Sequence, residues 1–318
     1  MNIPYFDSTA VRAAAPWTTA VEALEQALLN VVDPEDDSPR LFSPAPNGEF
    51  LLMPAKNRQY SGIKALTVSP TNPARGLEKI QGVYVLFDSD TSAPLATMDG
   101  NELTAIRTPA TTLLAVKYIL ASAPRAADPR RPRAPRVIVF GTGVQALNHL
   151  RATHSVLPEA GLAVVGRRPE GIAALIRQLT AEGLDVRQAT STDVAEADVV
   201  ICATSSHTPL FDGGLVAPGA VVAAVGQHGL GAREVDAELV RRSDVVVEGR
   251  ASALREAGDL IPARSAEEWE AICPANLRDL VKGEFERAAG KPCLYAGVGM
   301  AWEDLVIASL VYEGGTRS

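Results

Sequence analysis

The stretch RVIVFGTGVQALNHL, residues 136–150, carries the strongest structural signal in this chain of 318 residues. The apolar run predicts a buried strand, the residues from 144 onward predict a helix, and the turn between them contains Gly141 and Gly143. The first glycine permits a tight turn, the second lets a diphosphate approach the backbone, and Ala146 allows close helix–strand packing. The alternative is an ordinary strand–helix turn with two glycines. The favoured interpretation is a dinucleotide-binding loop that consists of Gly141, Thr142, Gly143, Val144, Gln145 and Ala146.

The segments that follow this loop alternate between short apolar runs and helical patterns. The helical pattern EGIAALIRQLTAEG covers residues 170–183, and the apolar runs include LAVVG (162–166), ADVVICAT (197–204), AVVAAVG (220–226) and SDVVVEG (243–249). Strands that alternate with helices form parallel sheets with helices on both faces. Residues 136–290 are therefore predicted to form a Rossmann-type, doubly wound parallel α/β domain.

The choice of cofactor depends on the end of the second strand, LAVVGRRPE, residues 162–170. A strand that ends beside the adenine ribose of NAD usually closes with Asp or Glu, whereas this one closes with Gly166, Arg167 and Arg168. Two arginines can bind a 2′-phosphate through charge-assisted hydrogen bonds. The stretch favours NADPH/NADP+ over NADH, the alternative being two arginines on a solvent-facing turn.

The N-terminal part predicts a different, α+β domain over residues 1–120. A helical pattern at 16–30 precedes the strand-like runs 49–54, 60–68, 82–88 and 93–99, and the turn SDTS suits a hairpin between the last two. A long helix follows through residue 121, interrupted by Pro109. Residues 121–135 are rich in Pro, Arg and Ala and are predicted to be an exposed linker rather than a nucleic-acid patch.

Composition excludes several classes of protein. The formal net charge is −8, which argues against nucleic-acid and anionic-membrane partners. The chain has three cysteines without close spacing and two helical histidines, His149 and His154, without an acidic partner pattern, so no metal site is expected. An N-terminal export signal and a membrane-spanning apolar run are both absent from the sequence, which predicts a cytoplasmic protein.

Two basic residues of the N-terminal part stand in unusual positions. Lys64 interrupts the apolar strand YSGIKALTV, where a charge must face water or a partner. Arg107 lies near a predicted helix start, and either the helix begins near Asn101 and is kinked at Pro109, or Thr108 caps a helix that has Pro109 at its first position. Because a helix dipole disfavours a cation at that end, a bound carboxylate would explain Arg107.

Several segments resemble the ornithine cyclodeaminase/mu-crystallin family. They include residues 64–115, GTGVQA, ADVVICATSSHTPLF, EAGDL and the terminal GVGMAWEDLVIASLVYE, and the likeness covers nearly the whole chain. The resemblance implies that residues 1–120 plus 291–318 form a substrate-binding and dimerisation domain around an inserted Rossmann domain, and that the protein is a homodimer. Glu303 and Asp304 are predicted to cap or polarise the last helix.

The resemblance also assigns roles to individual residues. It implies that Arg40, Lys64 and Arg107 bind a substrate carboxylate. Ornithine cyclodeaminases have an acidic residue at the position of Leu51 and another at the position of His228, so this chain lacks both acids. Cyclodeamination therefore becomes doubtful, and His228 is either an acid/base group or an ordinary loop histidine.

Further residues are placed beside the cofactor by the same resemblance. They are Thr204, Val225, Gly226, Gly297 and Val298. Relatives often have Ser at the position of Gly297. In a loop of the N-terminal part, Lys79 replaces a hydroxyl residue that contacts the cofactor in relatives. No role for Lys79 follows from this.

The expected activity is NADPH-dependent reduction of a C=N bond next to a carboxylate, with Lys64, Arg107 and His228 as catalytic candidates. Cyclic imines such as Δ1-pyrroline-2-carboxylate or Δ1-piperideine-2-carboxylate would give the cyclic amino acid. The alternatives are an alanine-type amino-acid dehydrogenase, an ornithine cyclodeaminase and, from another class, a non-catalytic NADPH-dependent small-ligand binder like mu-crystallin. The low aromatic content, 5%, makes a large aromatic ligand less attractive.

Overall fold

The computed structural model describes residues 3–122 and 134–316. The chain divides into two compact units, Met1–Ala110 with Met300–Ser318, and Thr111–Gly299. We call them the outer unit and the inserted unit. Most of the predicted linker, residues 123–133, lies outside the described residues.

The regular elements are numbered in chain order. The helices are α1 (Ser8–Ala14), α2 (Trp17–Asn30), α3 (Gly100–Ala121), α4 (Val144–Val156), α5 (Pro169–Ala181), α6 (Ala237–Arg242), α7 (Arg250–Glu256), α8 (Ala266–Ile272), α9 (Leu277–Val281) and α10 (Ala301–Thr316). The strands are β1 (Tyr5–Phe6), β2 (Leu41–Ala45), β3 (Gly48–Lys56), β4 (Tyr60–Val68), β5 (Ile80–Asp88), β6 (Pro94–Asp99), β7 (Arg136–Phe140), β8 (Gly161–Val165), β9 (Val186–Gln188), β10 (Val199–Cys202), β11 (Val221–Ala224), β12 (Asp244–Val247), β13 (Ala275–Asn276) and β14 (Cys293–Ala296).

The outer unit contains a six-stranded sheet in the order β1-β6-β5-β4-β3-β2. Strands β2 to β6 pair antiparallel, and β5 and β6 form the predicted hairpin. Side chains alternate between the two faces, so that Met53, Lys64 and Tyr84 lie in one cross-strand row. All three are buried, and α10 contacts the strands that carry them. Burial of that face against α10 places a lysine inside the core of the unit.

The inserted unit contains an eight-stranded sheet in the order β13-β12-β14-β11-β10-β7-β8-β9, with parallel pairing throughout. The central strands β7, β10 and β11 are almost completely buried. Apolar β-branched residues fill them, as expected of a parallel sheet with both faces covered. This is the predicted doubly wound α/β fold.

Two local predictions differ from the structure. Residues 1–120 and 291–318 were expected to form the first domain, but the outer unit ends at Ala110 and resumes at Met300. Strand β14 pairs with β11 and β12 in the parallel sheet and so belongs to the inserted unit. Helix α3 begins at Gly100 and continues through Pro109, which rules out the helix start capped by Thr108. Arg107 therefore lies about two turns inside the helix, too far from the N-terminus for the helix dipole to disfavour its positive charge.

None of the helices in the described part of the chain combines the length and apolar character that crossing a lipid bilayer requires.

Candidate active site

The turn between β7 and α4 has the geometry that the glycine pattern predicts. Gly141 has φ +124°, and a Cβ atom there would lie 2.6 Å from the carbonyl oxygen of Ala203. Gly143 caps α4 in an extended conformation, and a Cβ atom there would meet nothing within 4 Å. Ala146 is fully buried. The space over Gly143, at the N-terminus of a helix, fits the diphosphate of a dinucleotide.

The end of β8 is closely packed against this turn. A Cβ atom on Gly166 would lie 2.6 Å from Thr142 Cγ2 and 2.9 Å from Ile172 Cγ1. A side chain at position 166 would therefore collide with its neighbours, which gives a steric reason for the missing acid. Arg167 and Arg168 are exposed, and Arg168 is the N-cap residue of α5. Neither side chain makes an ion pair with another described residue, so both are available to an anion.

A buried carboxylate joins the loops that follow β10 and β11. Glu234 Oε1 accepts hydrogen bonds of 2.7 Å from both the backbone N–H and the hydroxyl of Thr204, and Oε2 accepts one of 2.7 Å from Gly226 N–H. Glu234 is completely buried. Burial raises the pKa of Glu234 to about 7, although these hydrogen bonds act in the opposite direction. Thr204 and Gly226, two of the predicted cofactor-side residues, therefore donate hydrogen bonds to the same carboxylate.

A second carboxylate supports the first. Asp259, from the segment EAGDL, accepts hydrogen bonds from the backbone N–H groups of Glu234 and Val235 at 2.8 and 3.2 Å. Its own N–H donates to Gln227 Oε1. Burial raises the pKa of Asp259 to about 6. Neither Glu234 nor Asp259 was predicted as a site residue.

The segment that follows β14 is also hydrogen-bonded to a buried carboxylate, Glu248. The N–H groups of Val298 and Gly299 donate to Glu248 Oε2 at 2.9 and 2.6 Å, and the Tyr295 hydroxyl donates to Oε1 at 3.2 Å. A Cβ atom on Gly297 would lie 3.0 Å from Glu248 Oε1. Val225 borders the same position. The structure thus brings Val225, Gly297 and Val298 together, and Glu248, which accepts hydrogen bonds from Val298 and Gly299, was missed.

His228 and His149, both in the inserted unit, have different environments. His228 Nε2 lies 3.3 Å from Glu256 Oε2 in a partly exposed loop. His149 is fully buried, with Nδ1 2.8 Å from the carbonyl oxygen of Gln145 and Nε2 3.1 Å from Thr112 Oγ1. Burial lowers the pKa of His149 to about 4, so it is a neutral core residue.

In the outer unit, Lys64 is an almost completely buried ion-pair partner. Its side chain is 1% exposed, and Nζ lies 2.9 and 2.7 Å from Oδ1 and Oδ2 of Asp304. Nζ also donates to Thr104 Oγ1 at 3.2 Å. Burial lowers the pKa of Lys64 to about 8, with Arg107 and Arg40 acting in the same direction and Asp304 opposing them. Arg40, which is half-buried, is thus close enough for its charge to act on Lys64.

Arg107 pairs with the same end of α10. Its Nη1 lies 2.9 Å from Glu303 Oε2, and its Nε lies 3.4 Å from Asp304 Oδ1. Both carboxylates are fully buried. The unusual position of Arg107 is explained by these two acids and not by a helix terminus. Glu303 and Asp304 were expected only to cap or polarise α10, whereas Asp37 caps it through Ala301 N–H and Trp302 N–H.

Leu51 lies on the same face of the sheet as Lys64. It is two residues from Met53, the cross-strand partner of Lys64, and its own partner is Leu66. All of these side chains are buried. The β3 side chains on the face that carries Lys64, Leu51 and Met53, are therefore apolar.

The raised pKa of Glu234 predicts a pH-dependent stability difference. Its ordinary pKa is 4.5 and its value in the folded protein is about 7, so the folded state holds a proton more tightly than the unfolded state and loses stability as pH rises between these values. Glu234→Gln removes this dependence. The free energy of unfolding of the variant, relative to wild type, should therefore rise by about 2–3 kcal/mol from pH 5 to pH 8.

Urea unfolding at the two pH values measures this difference. Glu238→Gln is the matched control, because Glu238 is exposed on α6 and the change of charge is the same. Its stability relative to wild type should not change with pH. A Glu234→Gln difference that stays constant or falls between pH 5 and pH 8 would contradict the assignment.

Comparison with known proteins connects this arrangement to a family. The chain is 33% identical over 311 residues to Delta(1)-pyrroline-2-carboxylate reductase 2 of Burkholderia ambifaria, covering 96% of this chain and 93% of that protein. It is 34% identical over 306 residues to the Delta(1)-pyrroline-2-carboxylate/Delta(1)-piperideine-2-carboxylate reductase of Azospirillum brasilense, covering 95% and 93%.

Among solved structures, the Delta(1)-pyrroline-2-carboxylate reductase of Thermococcus litoralis in complex with NADH and L-proline is similar. It has a TM-score of 0.82 and 25% identity, covering 99% of this chain and 98% of that chain. The family model of the ornithine cyclodeaminase/mu-crystallin family matches residues 8–317. On this evidence the chain belongs to the ornithine cyclodeaminase/mu-crystallin family.

Proposed function

We propose that this protein is a nicotinamide-dependent reductase of the C=N bond in cyclic imino acids, with Δ1-pyrroline-2-carboxylate or Δ1-piperideine-2-carboxylate as substrate. The observation that carries the proposal is the buried cluster of Lys64, Arg107, Glu303 and Asp304. It combines a fixed guanidinium with an ammonium group whose pKa, about 8, is close to neutrality. Relatives at 33% and 34% identity carry the same activity in their names.

The cationic residues have distinct tasks in this reaction. Arg40 and Arg107 bind the substrate carboxylate, because a guanidinium keeps its charge and offers a planar fork of donors. Lys64 holds a proton at Nζ for the imine nitrogen, since a protonated imine accepts hydride at carbon more readily. His228, supported by Glu256, is a second candidate for proton transfer.

The apolar residues beside Lys64 favour a hydrocarbon ring over a second charged group. Leu51, Met53 and Leu66 are buried on the face that carries Lys64. The second ammonium group of ornithine would find no acid at position 51, and an unpaired charge is costly to bury. Reduction of a cyclic imine is therefore favoured over ornithine cyclodeamination.

The inserted unit supplies the residues that would hold the cofactor. Gly141, Gly143 and the N-terminus of α4 fit the diphosphate, and Thr204, Val225, Gly226, Gly297 and Val298 would line the nicotinamide side. A reduced nicotinamide held by these residues would supply hydride for the imine carbon. The backbone around these residues is held by Glu234 and Glu248.

The activity is tested by NADPH oxidation with a panel of cyclic imino acids, 2-oxo acids with ammonia or methylamine, and ornithine. Both cyclic imines should be reduced to L-proline or pipecolate, and ornithine should give no proline.

Lys64→Met should slow hydride transfer by roughly 100-fold or more in single turnovers, because it removes the proton donor, while leaving NADPH affinity unchanged. Arg107→Lys should raise KM roughly 10- to 100-fold through loss of the forked contact.

Lys56→Met and Arg58→Lys are matched controls, because both residues are exposed on or near β3. Full hydride-transfer rate in Lys64→Met would remove Lys64 from the mechanism. Turnover restricted to 2-oxo acids with ammonia would indicate an alanine-type dehydrogenase, and proline formation from ornithine would indicate a cyclodeaminase. Tight NADPH binding without any turnover would indicate a ligand-binding protein like mu-crystallin.

We infer that NADPH is preferred to NADH. Support comes from the steric exclusion of a side chain at Gly166 and from the exposed pair Arg167 and Arg168. A ribose-binding acid would repel a 2′-phosphate, whereas two arginines bind it. The related Thermococcus litoralis enzyme was solved with NADH, so the two arginines are the feature on which this preference depends.

The preference is tested by fluorescence titration of both cofactors. The double variant Arg167→Ala/Arg168→Ala should raise the Kd for NADPH by roughly 100-fold or more, since each contact contributes about 1.5–3 kcal/mol. The Kd for NADH should hardly change. Arg177→Ala, an exposed arginine further along α5, is the control. Equal affinity of the wild-type protein for the two cofactors would refute the preference.

We also propose a homodimer formed by the outer face of the six-stranded sheet. Leu41, Leu52, Ala65 and Val83 form one apolar row across four strands, on the face opposite Lys64. Leu41 is 56% exposed and Val83 is 43% exposed in the single chain. An apolar row of this kind in a sheet usually packs against another surface. A second copy of the chain satisfies this requirement symmetrically.

Light scattering during gel filtration tests the dimer. The wild-type protein should have twice the chain mass of 33.5 kDa. Val83→Glu places a charge in the row and should shift the protein to a monomer at micromolar concentration. Val31→Glu, at another exposed valine of the outer unit, should leave the mass unchanged. A wild-type monomer at all concentrations would exclude the proposed interface.

A further inference from the structure

The N–H bonds of Lys64 Nζ have different acceptors. Nζ has three donors, of which one goes to Asp304 Oδ1 and one to Thr104 Oγ1. Thr104 donates its own hydroxyl proton to the carbonyl oxygen of Gly100 at 2.9 Å. The threonine can therefore act only as an acceptor toward Nζ. Two N–H bonds are fixed in this way, and one is left to be shared between Asp304 Oδ2 and a ligand.

Asp304 also links the two buried cations of the cluster. Oδ1 contacts both Lys64 Nζ and Arg107 Nε, and Glu303 takes the Nη1 end of the same guanidinium. Arg107 therefore has two acidic contacts, but Lys64 has only Asp304 as an anionic contact among the described residues. Within the described part of the chain, Asp304 is the anion that favours the charge of the lysine, whereas the charge of the arginine is independent of its partners.

The other groups that face Lys64 do not replace this carboxylate. Arg107 from α3 and Arg40 before β2 oppose its positive charge. Tyr84, the cross-strand neighbour on β5, is fully buried, and burial raises the pKa of its hydroxyl well above the ordinary value, so it stays neutral. Thr104 is uncharged. Asp304 is thus the only one of these neighbours that favours the ammonium form.

We propose that Asp304 is the positioning residue of the imine reduction: it keeps Lys64 as an ammonium ion, aims its remaining N–H bond, and thereby reserves Lys64 for proton donation while Arg40 and Arg107 bind the carboxylate. This assignment rests on the proposed function, in which Lys64 and the two arginines already have distinct tasks, and adds the residue that holds Lys64 in its task. It also separates substrate binding from proton transfer within one cluster.

The reaction balances as one proton and one hydride. An N–H bond of Lys64 breaks and an N–H bond forms on the imine nitrogen, while the π electrons of the C=N bond move to nitrogen. The reduced nicotinamide would supply the hydride for the new C–H bond. Lys64 is left as a neutral amine beside Asp304, which favours its reprotonation from solvent.

The pH dependence of catalysis tests the assignment through Asp304→Asn. Activity requires the ammonium form, so wild-type kcat should fall as pH rises through about 8. Without the carboxylate, burial and the two arginines act unopposed. The falling limb should therefore move to lower pH by about one unit or more, and the smaller ammonium fraction should lower kcat at pH 7.5 at least roughly threefold. KM should not rise in proportion, because Arg107 keeps Glu303.

Glu303→Gln is the matched control, because it removes one buried negative charge from the neighbouring residue. It should raise KM through Arg107 and leave the position of the falling limb unchanged. Asp304→Glu retains the charge and guards against a variant that fails to fold. It should keep the limb near pH 8 but lower kcat at least roughly tenfold, since a longer side chain displaces Nζ.

The readouts distinguish this proposal from the function on which it rests. A wild-type protein that reduces no imine would refute the proposed function. A wild-type protein that is active, with an Asp304→Asn limb at the wild-type pH or an Asp304→Glu variant of full kcat, would refute the role of Asp304. A readout that does not need turnover is the binding of pyrrole-2-carboxylate by calorimetry. Asp304→Asn should bind this planar carboxylate as tightly as wild type or more tightly, and weaker binding by tenfold would contradict the division of roles.

Discussion

The ion pair between Lys64 and Asp304 is the interaction on which the proposed site depends. It joins β4 to the first turn of α10 across 240 residues of sequence. Two charges buried to this extent destabilise a protein unless each is paired and hydrogen-bonded. Here the second carboxylate, Glu303, and the guanidinium of Arg107 extend the pair to a cluster of two cations and two anions, with Arg40 nearby. The outer unit therefore consists of the beginning and the end of the chain.

The inserted unit also contains buried carboxylates, but their partners include backbone N–H groups. Its buried carboxylates, Glu234, Asp259 and Glu248, accept hydrogen bonds from backbone N–H groups of the loops at the carboxyl ends of the parallel strands. Ligands of doubly wound sheets bind at those ends. The backbone of these loops is thus hydrogen-bonded to buried acceptors. One set of acids holds the cations proposed to bind the substrate, and the other holds the backbone that would face the cofactor.

Short-range patterns explain what could be predicted from the sequence. The loop at Gly141 and Gly143, the parallel sheet and the hairpin between β5 and β6 were all predicted, because each depends on residues that are close in sequence. The strand β14 was assigned to the wrong unit, because a short apolar run does not reveal which sheet it joins. Glu303, Asp304 and Glu234 were missed as site residues, since their partners lie far away in sequence and only the fold brings them together. Arg107 was correctly recognised as unusual, but its explanation needed the acid pair on α10.

In the proposed reaction, hydride moves from a nicotinamide to the carbon next to a carboxylate that this cluster binds. The most direct measurement is mass spectrometry of the amino acid formed from Δ1-pyrroline-2-carboxylate with NADPH deuterated at the transferable C4 position. We expect L-proline with one deuterium at Cα and none elsewhere, formed in step with NADPH oxidation. Proline without deuterium, or no proline while the cofactor is oxidised, would contradict it.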